Sequence, residues 1–203
     1  MALWQGENGC PSTNNSQGAL REFEWDEVRQ AKYLLRRLLT DLSLGVELTS
    51  YFHTIDLVDF IGARGPENKT NTKGLLRGLE YTSKPSYYAL RNLAAFVDSR
   101  MKRADLLLRV PGGEGVRTAT FLRGSTPLYF WWIPANLQKG FVTRPARTGV
   151  WRSQHAQLSQ PVLVDLLTAD IIPQQPAEVK GYITYFDVLL RDYPLLVTDA
   201  SIC

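Results

Sequence analysis

Apolar residues recur at helical spacing in two segments of the first half of the chain. From Trp25 onwards, five of them follow one another at intervals of three and four residues, which predicts an amphipathic helix. They are Val28, Ala31, Leu35, Leu38 and Leu42. Gly45 is expected to end this helix as its cap. Residues 86–97 repeat the spacing directly after Pro85, and this predicts a second helix.

Short runs of strand-forming residues precede each predicted helix, at residues 3–9 and at 46–54. The order strand, helix, strand, helix predicts a parallel α/β arrangement. After Arg103 the pattern changes to short strands separated by turns, typical of a small antiparallel β-sandwich. These strands are expected at 106–110, 117–122, 128–133, 162–167, 182–189 and 195–198. We therefore predict two domains, 1–103 and 104–203.

The amino-acid composition excludes several classes of protein. The 203 residues are 44% hydrophobic and 21% charged, which excludes a disordered tail. The net charge is only +3 and is spread evenly, so we expect no nucleic-acid partner. No apolar run approaches the roughly 20 residues of a membrane helix, and we expect a soluble protein. Cys10 and Cys203 are expected to be free thiols, and they assign no compartment.

One carboxylate has a position that suggests chemistry. Glu7 comes at the end of the first predicted strand, between Gly6 and Gly9. In βα architectures, active-site residues lie at the carboxyl ends of strands. The glycines would let a ligand approach the backbone closely, and Trp4 and Asn8 are residue types that stack on sugars and hydrogen-bond to them. A solvated glutamate in a turn is the alternative interpretation.

Four blocks of sequence, in this order, resemble a known family. They are residues 4–9 (WQGENG), 30–36 (QAKYLLR), 45–52 (GVELTSYF) and 84–90 (KPSYYAL). Together they are similar to the last quarter of a (β/α)₈ barrel from the large clan of retaining glycoside hydrolases, in which a short β-sandwich commonly follows the barrel. The resemblance implies that residues 1–103 are the C-terminal strand-helix-strand-helix portion of such a barrel.

The resemblance also implies site residues. Glu7 would be the nucleophile of a double-displacement hydrolysis of O-glycosidic bonds, and Asn8, Phe52 and His53 would contact a carbohydrate substrate. No cofactor and no metal is implied, and the sequence holds no phosphate loop, catalytic serine elbow or metal-ligand spacing.

The chain departs from the family in one respect. Retention needs a second carboxyl about 5–5.5 Å from the nucleophile, and in the clan this group lies on the fourth strand, for which the chain has no equivalent. We therefore expect the isolated chain to be inactive. Two parallel strands cannot close a barrel, so we also expect either self-association or a partner chain that completes it.

Two other function classes remain open at this point. The run from Tyr129 to Trp132 would serve a non-catalytic carbohydrate-binding module if its rings were exposed, although alternating residues of such a strand more often fill a core. A protein whose unclosed strands serve only for interaction with another chain is the second alternative.

Overall fold

The computed structural model describes residues 2–59, 69–110, 115–137, 140, 143–151 and 158–203. It divides into two compact units, Met1–Arg91 and Asn92–Cys203. We call the first the βα unit and the second the β unit. All four predicted site residues, Glu7, Asn8, Phe52 and His53, lie within the described part of the chain.

The described residues of the βα unit form two strands and two helices in the predicted order. Strand β1 spans Trp4–Asn8, helix α1 Glu27–Ser43, strand β2 Leu48–Tyr51, and helix α2 Pro85–Phe96, which ends in the β unit. Strands β1 and β2 pair in parallel, with Trp4 opposite Leu48 and Asn8 opposite Tyr51. The parallel pairing agrees with the α/β arrangement expected from sequence, and β2 is shorter than the predicted strand at 46–54.

Helix α1 spans the predicted apolar stripe and ends just before Gly45, as expected. The side chain of Asp26 accepts a hydrogen bond from the backbone N–H of Arg29 at 2.8 Å and so caps the first turn. Gly45 follows the last turn with a φ of 84°, a left-handed conformation that glycine adopts without steric cost. Of the predicted apolar stripe, Ala31, Leu35 and Leu38 are buried, whereas Val28 and Leu42 are half-buried. Leu34 and Leu39, which the stripe did not include, are also buried.

The β unit contains two antiparallel sheets. The strands are β3 Met101–Arg103, β4 Leu108–Arg109, β5 Arg117–Arg123, β6 Thr126–Trp132, β7 Arg144–Trp151, β8 Pro161–Asp165, β9 Ile171–Pro173, β10 Glu178–Lys180, β11 Ile183–Leu190 and β12 Leu195–Asp199. One sheet has the order β3-β5-β6-β12-β8-β9 and the other β10-β11-β7-β4. This arrangement is compatible with the predicted β-sandwich.

The six-stranded sheet holds much of the apolar core. All five residues of β12 are buried at its centre, and the side chain of Tyr193 donates a hydrogen bond to Asp165 Oδ2 at 2.7 Å. On the second sheet, Phe186, Val188 and Leu190 of β11 are buried at every other position, with Asp187 and Leu189 exposed between them. This alternation is what a strand with one face in the core requires.

Within the described residues, neither helix has the length and apolar character that crossing a membrane demands. Cys10, which is buried, and Cys203, which is exposed, are both free thiols.

Candidate functional site

The ends of β1 and β2 bring three of the four predicted site residues next to one another. Asn8, the last residue of β1, accepts a hydrogen bond from the backbone N–H of Phe52 at 2.6 Å through its carbonyl oxygen. His53 follows Phe52, and the two rings are perpendicular with their centroids 4.3 Å apart. Glu7 precedes Asn8 on β1, and its side chain is exposed. Because the strands are parallel, these residues share one edge of the sheet.

The side chain of Asn8 is fixed by a polar chain that begins on α1. Arg37 Nε donates to Asp41 Oδ2 at 2.9 Å, and Thr49 Oγ1 donates to the same oxygen at 2.9 Å. Asn8 Nδ2 in turn donates to Thr49 Oγ1 at 3.1 Å and to the Ser50 carbonyl at 2.5 Å. The amide is therefore held in one orientation next to Glu7.

The oxygen of this amide has no hydrogen-bond partner among the described residues. Asn8 is only 7% exposed, and among the described residues its Oδ1 finds no hydrogen-bond donor. A buried carbonyl oxygen without a donor costs free energy unless a ligand or water supplies one. This oxygen lies at the edge of the sheet that carries Glu7, and it is shielded from solvent.

The two glycines around Glu7 have different roles. A Cβ on Gly9 would lie 2.1 Å from the Phe52 carbonyl oxygen, whereas a Cβ on Gly6 would meet nothing within 4 Å. Gly9 is therefore required because the backbone after β2 passes against it. The sequence interpretation assigned this close approach to a ligand, but the atom that approaches Gly9 belongs to Phe52.

His53 is neutral in this setting. Its Nδ1 bonds to the Ile55 carbonyl, and because a carbonyl only accepts, Nδ1 carries the hydrogen. Burial lowers the pKa of His53 below its ordinary value of 6.5, partly opposed by that hydrogen bond and by the charge of Asp56. The ring therefore carries no positive charge, and its Nε2 is a buried acceptor without a partner among the described residues.

Sequence reasoning missed Lys73, a charged neighbour of Glu7. Lys73 is 6% exposed, and burial lowers the pKa of its ammonium, while the nearby carboxylate of Glu7 acts in the opposite direction. The segment that carries Lys73 lies far from Glu7 along the chain and has no motif, so no sequence signal pointed to it.

A buried ion pair fixes the loop between β2 and α2. Lys84 Nζ lies 2.6 Å from Asp56 Oδ1 and 2.9 Å from Ser12 Oγ. Asp56 Oδ1 also accepts from the Gly74 N–H at 2.8 Å. Asp56 is thus engaged as a structural anion.

The aromatic run of the β unit is not a sugar platform. Tyr129, Phe130, Trp131 and Trp132 are each at most 3% exposed, so none of these rings offers a face to a ligand. The prediction that these residues fill a core is correct. The alternative of a carbohydrate-binding module depended on exposed rings in this strand, and the strand has none.

Comparison with known proteins gives a fold and no closer relationship. No family model matches the chain, and no curated protein matches it. Among solved structures, a glycoside hydrolase family 30 subfamily 8 xylanase, Xyn30A, from Clostridium acetobutylicum matches with a TM-score of 0.57 at 12% identity, over 98% of this chain and 43% of the xylanase. A GH30 endoxylanase from Clostridium papyrosolvens C71 matches with a TM-score of 0.55 at 12% identity, over 97% of this chain and 41% of that protein.

The chain shares its fold with part of these glycoside hydrolases. It spans less than half the length of either. The resemblance inferred from the four sequence blocks is thereby confirmed at the level of the fold.

Proposed function

We propose that the chain is the C-terminal portion of a retaining glycoside hydrolase and supplies its nucleophile, Glu7. The observation that carries this proposal is the position of Glu7, exposed near the carboxyl end of a strand paired in parallel with β2. Active-site residues of parallel βα folds lie at this end. The glycoside hydrolases that share the fold support a carbohydrate substrate.

In the proposed reaction a carboxylate oxygen of Glu7 attacks the anomeric carbon, and the bond to the leaving oxygen breaks with its electron pair. Water then hydrolyses the glycosyl-enzyme and restores the carboxylate. Asn8, Phe52 and His53 would lie beside the bound sugar at this edge of the sheet. A carboxyl from the rest of the barrel would act as the acid and then as the base.

A labelling experiment tests the nucleophile without that second carboxyl. In 2,4-dinitrophenyl 2-deoxy-2-fluoro-β-xylobioside the leaving phenolate needs no proton, and the fluorine slows hydrolysis of the covalent adduct. Xylobiose is the first choice because both structural neighbours are named xylanases. We expect one adduct per chain, mapped by mass spectrometry to the peptide that contains Glu7.

Matched variants separate this reaction from nonspecific modification. Glu7→Gln is expected to abolish the adduct, and Glu22→Gln, which alters another exposed glutamate of the same unit, is expected to retain it. An adduct that persists in Glu7→Gln, or the absence of any adduct on the unmodified chain, would contradict the proposed role.

A second candidate function is association through the βα unit. Its sheet has only two strands among the described residues, and Leu3 and Trp4 beside and on β1 are 60% and 68% exposed. Exposed apolar residues next to an unpaired strand edge favour pairing with another chain. A second copy or a partner chain would then complete the parallel layer.

A further inference from the structure

The β unit contains a cavity that neither Glu7 nor the proposed reaction uses. Its volume is about 650 Å³, within the range of small-ligand pockets. The floor is apolar and includes Val150, Val162 and Phe186. Strands from both sheets line it, so the cavity lies where the two sheets open toward solvent.

The described residues that line the cavity are all uncharged. Binding a phosphate, a carboxylate or a metal ion in such a place would leave the ligand's charge without a counter-charge, which costs free energy. The described part of the lining therefore favours a neutral ligand.

Amide side chains stand at the mouth. Gln160 and Gln175 are exposed, and within the described part of the chain the side chain of neither makes a hydrogen bond. Gln174 differs, because its Nε2 donates to the Ile172 carbonyl at 3.2 Å. Each of the two unengaged amides offers one acceptor and two donors, a set that matches hydroxyl groups, which both donate and accept.

The frame around these amides is rigid. Pro161, Pro173 and Pro176 line the cavity, and the proline ring fixes φ. The backbone before β8 is tied down, because the N–H groups of Ser159 and Gln160 donate to Asp199 Oδ2 at 2.6 and 2.8 Å. A preformed site loses little conformational entropy on binding.

We infer that this cavity, lined by the apolar floor of the β unit and flanked by the amides of Gln160 and Gln175, binds a neutral oligosaccharide segment. Sugars combine C–H faces, which pack on apolar surfaces, with hydroxyls, which pair with amides, and they carry no charge. The ligand class rests on the proposed function, whereas the site itself does not involve Glu7. Two sites for one polysaccharide on one molecule would raise the effective concentration of substrate.

The test is titration of the full chain with xylohexaose, followed by isothermal calorimetry and by NMR of the glutamine side-chain amides. We expect saturable shifts of the Gln160 and Gln175 signals, and these shifts should persist in Glu7→Gln. The double variant Gln160→Ala/Gln175→Ala is expected to weaken binding at this site about tenfold, since two hydrogen bonds are lost. Val179→Glu, which places a charge at the mouth on a residue that is 50% exposed, is expected to abolish it.

Asn136→Ala is the matched control, because Asn136 is an exposed amide of the same unit that does not line the cavity. Unchanged thermal unfolding of the variants shows that any loss of binding is local. Binding that is unaffected by both cavity variants, or the absence of shifts at Gln160 and Gln175, would overturn the inference. Shifts caused by an uncharged proline-rich hexapeptide and not by xylohexaose would also overturn it. Persistence of these shifts without a Glu7 adduct would instead disprove only the proposed nucleophile.

Discussion

Gly9 and Gly6 are two glycines of one motif with different steric surroundings. The backbone of Phe52 occupies the space where a Cβ on Gly9 would lie, and the space beside Gly6 is open. Since backbone atoms cannot move aside as the end of a flexible side chain can, the two positions should tolerate alanine very differently.

We therefore predict that Gly9→Ala lowers the free energy of unfolding by about 3 kcal/mol, because the contact at 2.1 Å forces the ends of β1 and β2 apart. Gly6→Ala should change it by less than about 0.5 kcal/mol. Urea denaturation of the two variants measures the difference. Equal effects of the two substitutions would show that the backbone of Phe52 does not prevent a side chain at position 9.

His53 gives the βα unit a dependence on pH. Burial lowers its pKa from the ordinary value of 6.5, so the unfolded chain binds the proton more tightly than the folded chain does. The contribution of His53 to the free energy of unfolding is fully present above pH 6.5. It is lost as the pH falls from 6.5 toward the lower pKa of the folded state.

The prediction is that the free energy of unfolding falls over this interval in the unmodified protein and falls less steeply in His53→Gln, which cannot bind the proton. Urea denaturation at a series of pH values below about 7 measures both slopes. Identical slopes in the two proteins would mean that His53 titrates with the same pKa in both states.

At the scale of elements, α1 depends on its first turn. Asp26 accepts from the Arg29 N–H, an N–H that has no partner inside the helix. We predict that Asp26→Ala costs about 1 kcal/mol of stability and that Asp26→Asn, which keeps an acceptor oxygen, costs much less. Thermal unfolding of both variants tests this, and equal losses would assign the effect to charge rather than to capping.

Periodicity was sufficient to predict both helices, because burial of one face imposes the spacing of three and four residues. It could not predict β7. That strand contains Pro145, Gly149 and two arginines, and what makes it a strand is its eight-residue pairing with β11. The burial of residues 129–132 could not be predicted for a related reason. An aromatic strand has the same composition whether its rings are exposed or buried.

The candidate site was predictable only where its residues lie at strand ends. Asn8 ends β1 and Phe52 follows β2, and sequence patterns reveal such positions. Lys73 and Lys84 come from the long segment between β2 and α2, and they reach their partners only through the fold. The unpartnered oxygen of Asn8 likewise depends on burial and is invisible in the sequence.

At the scale of the whole molecule, exposed apolar groups at β1 predict self-association. Trp4 is 68% exposed, and burial of a tryptophan can dominate the energetics of an interface. We predict that the chain forms oligomers in sedimentation-velocity runs at high concentration, and that Trp4→Lys raises the dissociation constant at least tenfold. Tyr182→Lys, which changes a residue of the β unit that is 74% exposed, should have no effect. A monomer at all concentrations would contradict this mode of association.

The buried position of β12 has a consequence for hydrogen–deuterium exchange. Its amides lie between β6 and β8 at the centre of the larger sheet, and all five of its residues are buried, so they can exchange only when most of that sheet opens. The amides of β1, in a two-stranded sheet, need only a local opening. Deuterium should therefore enter the strand that carries Glu7 long before it enters β12, and the proposed reaction centre would lie on the strand that opens more readily.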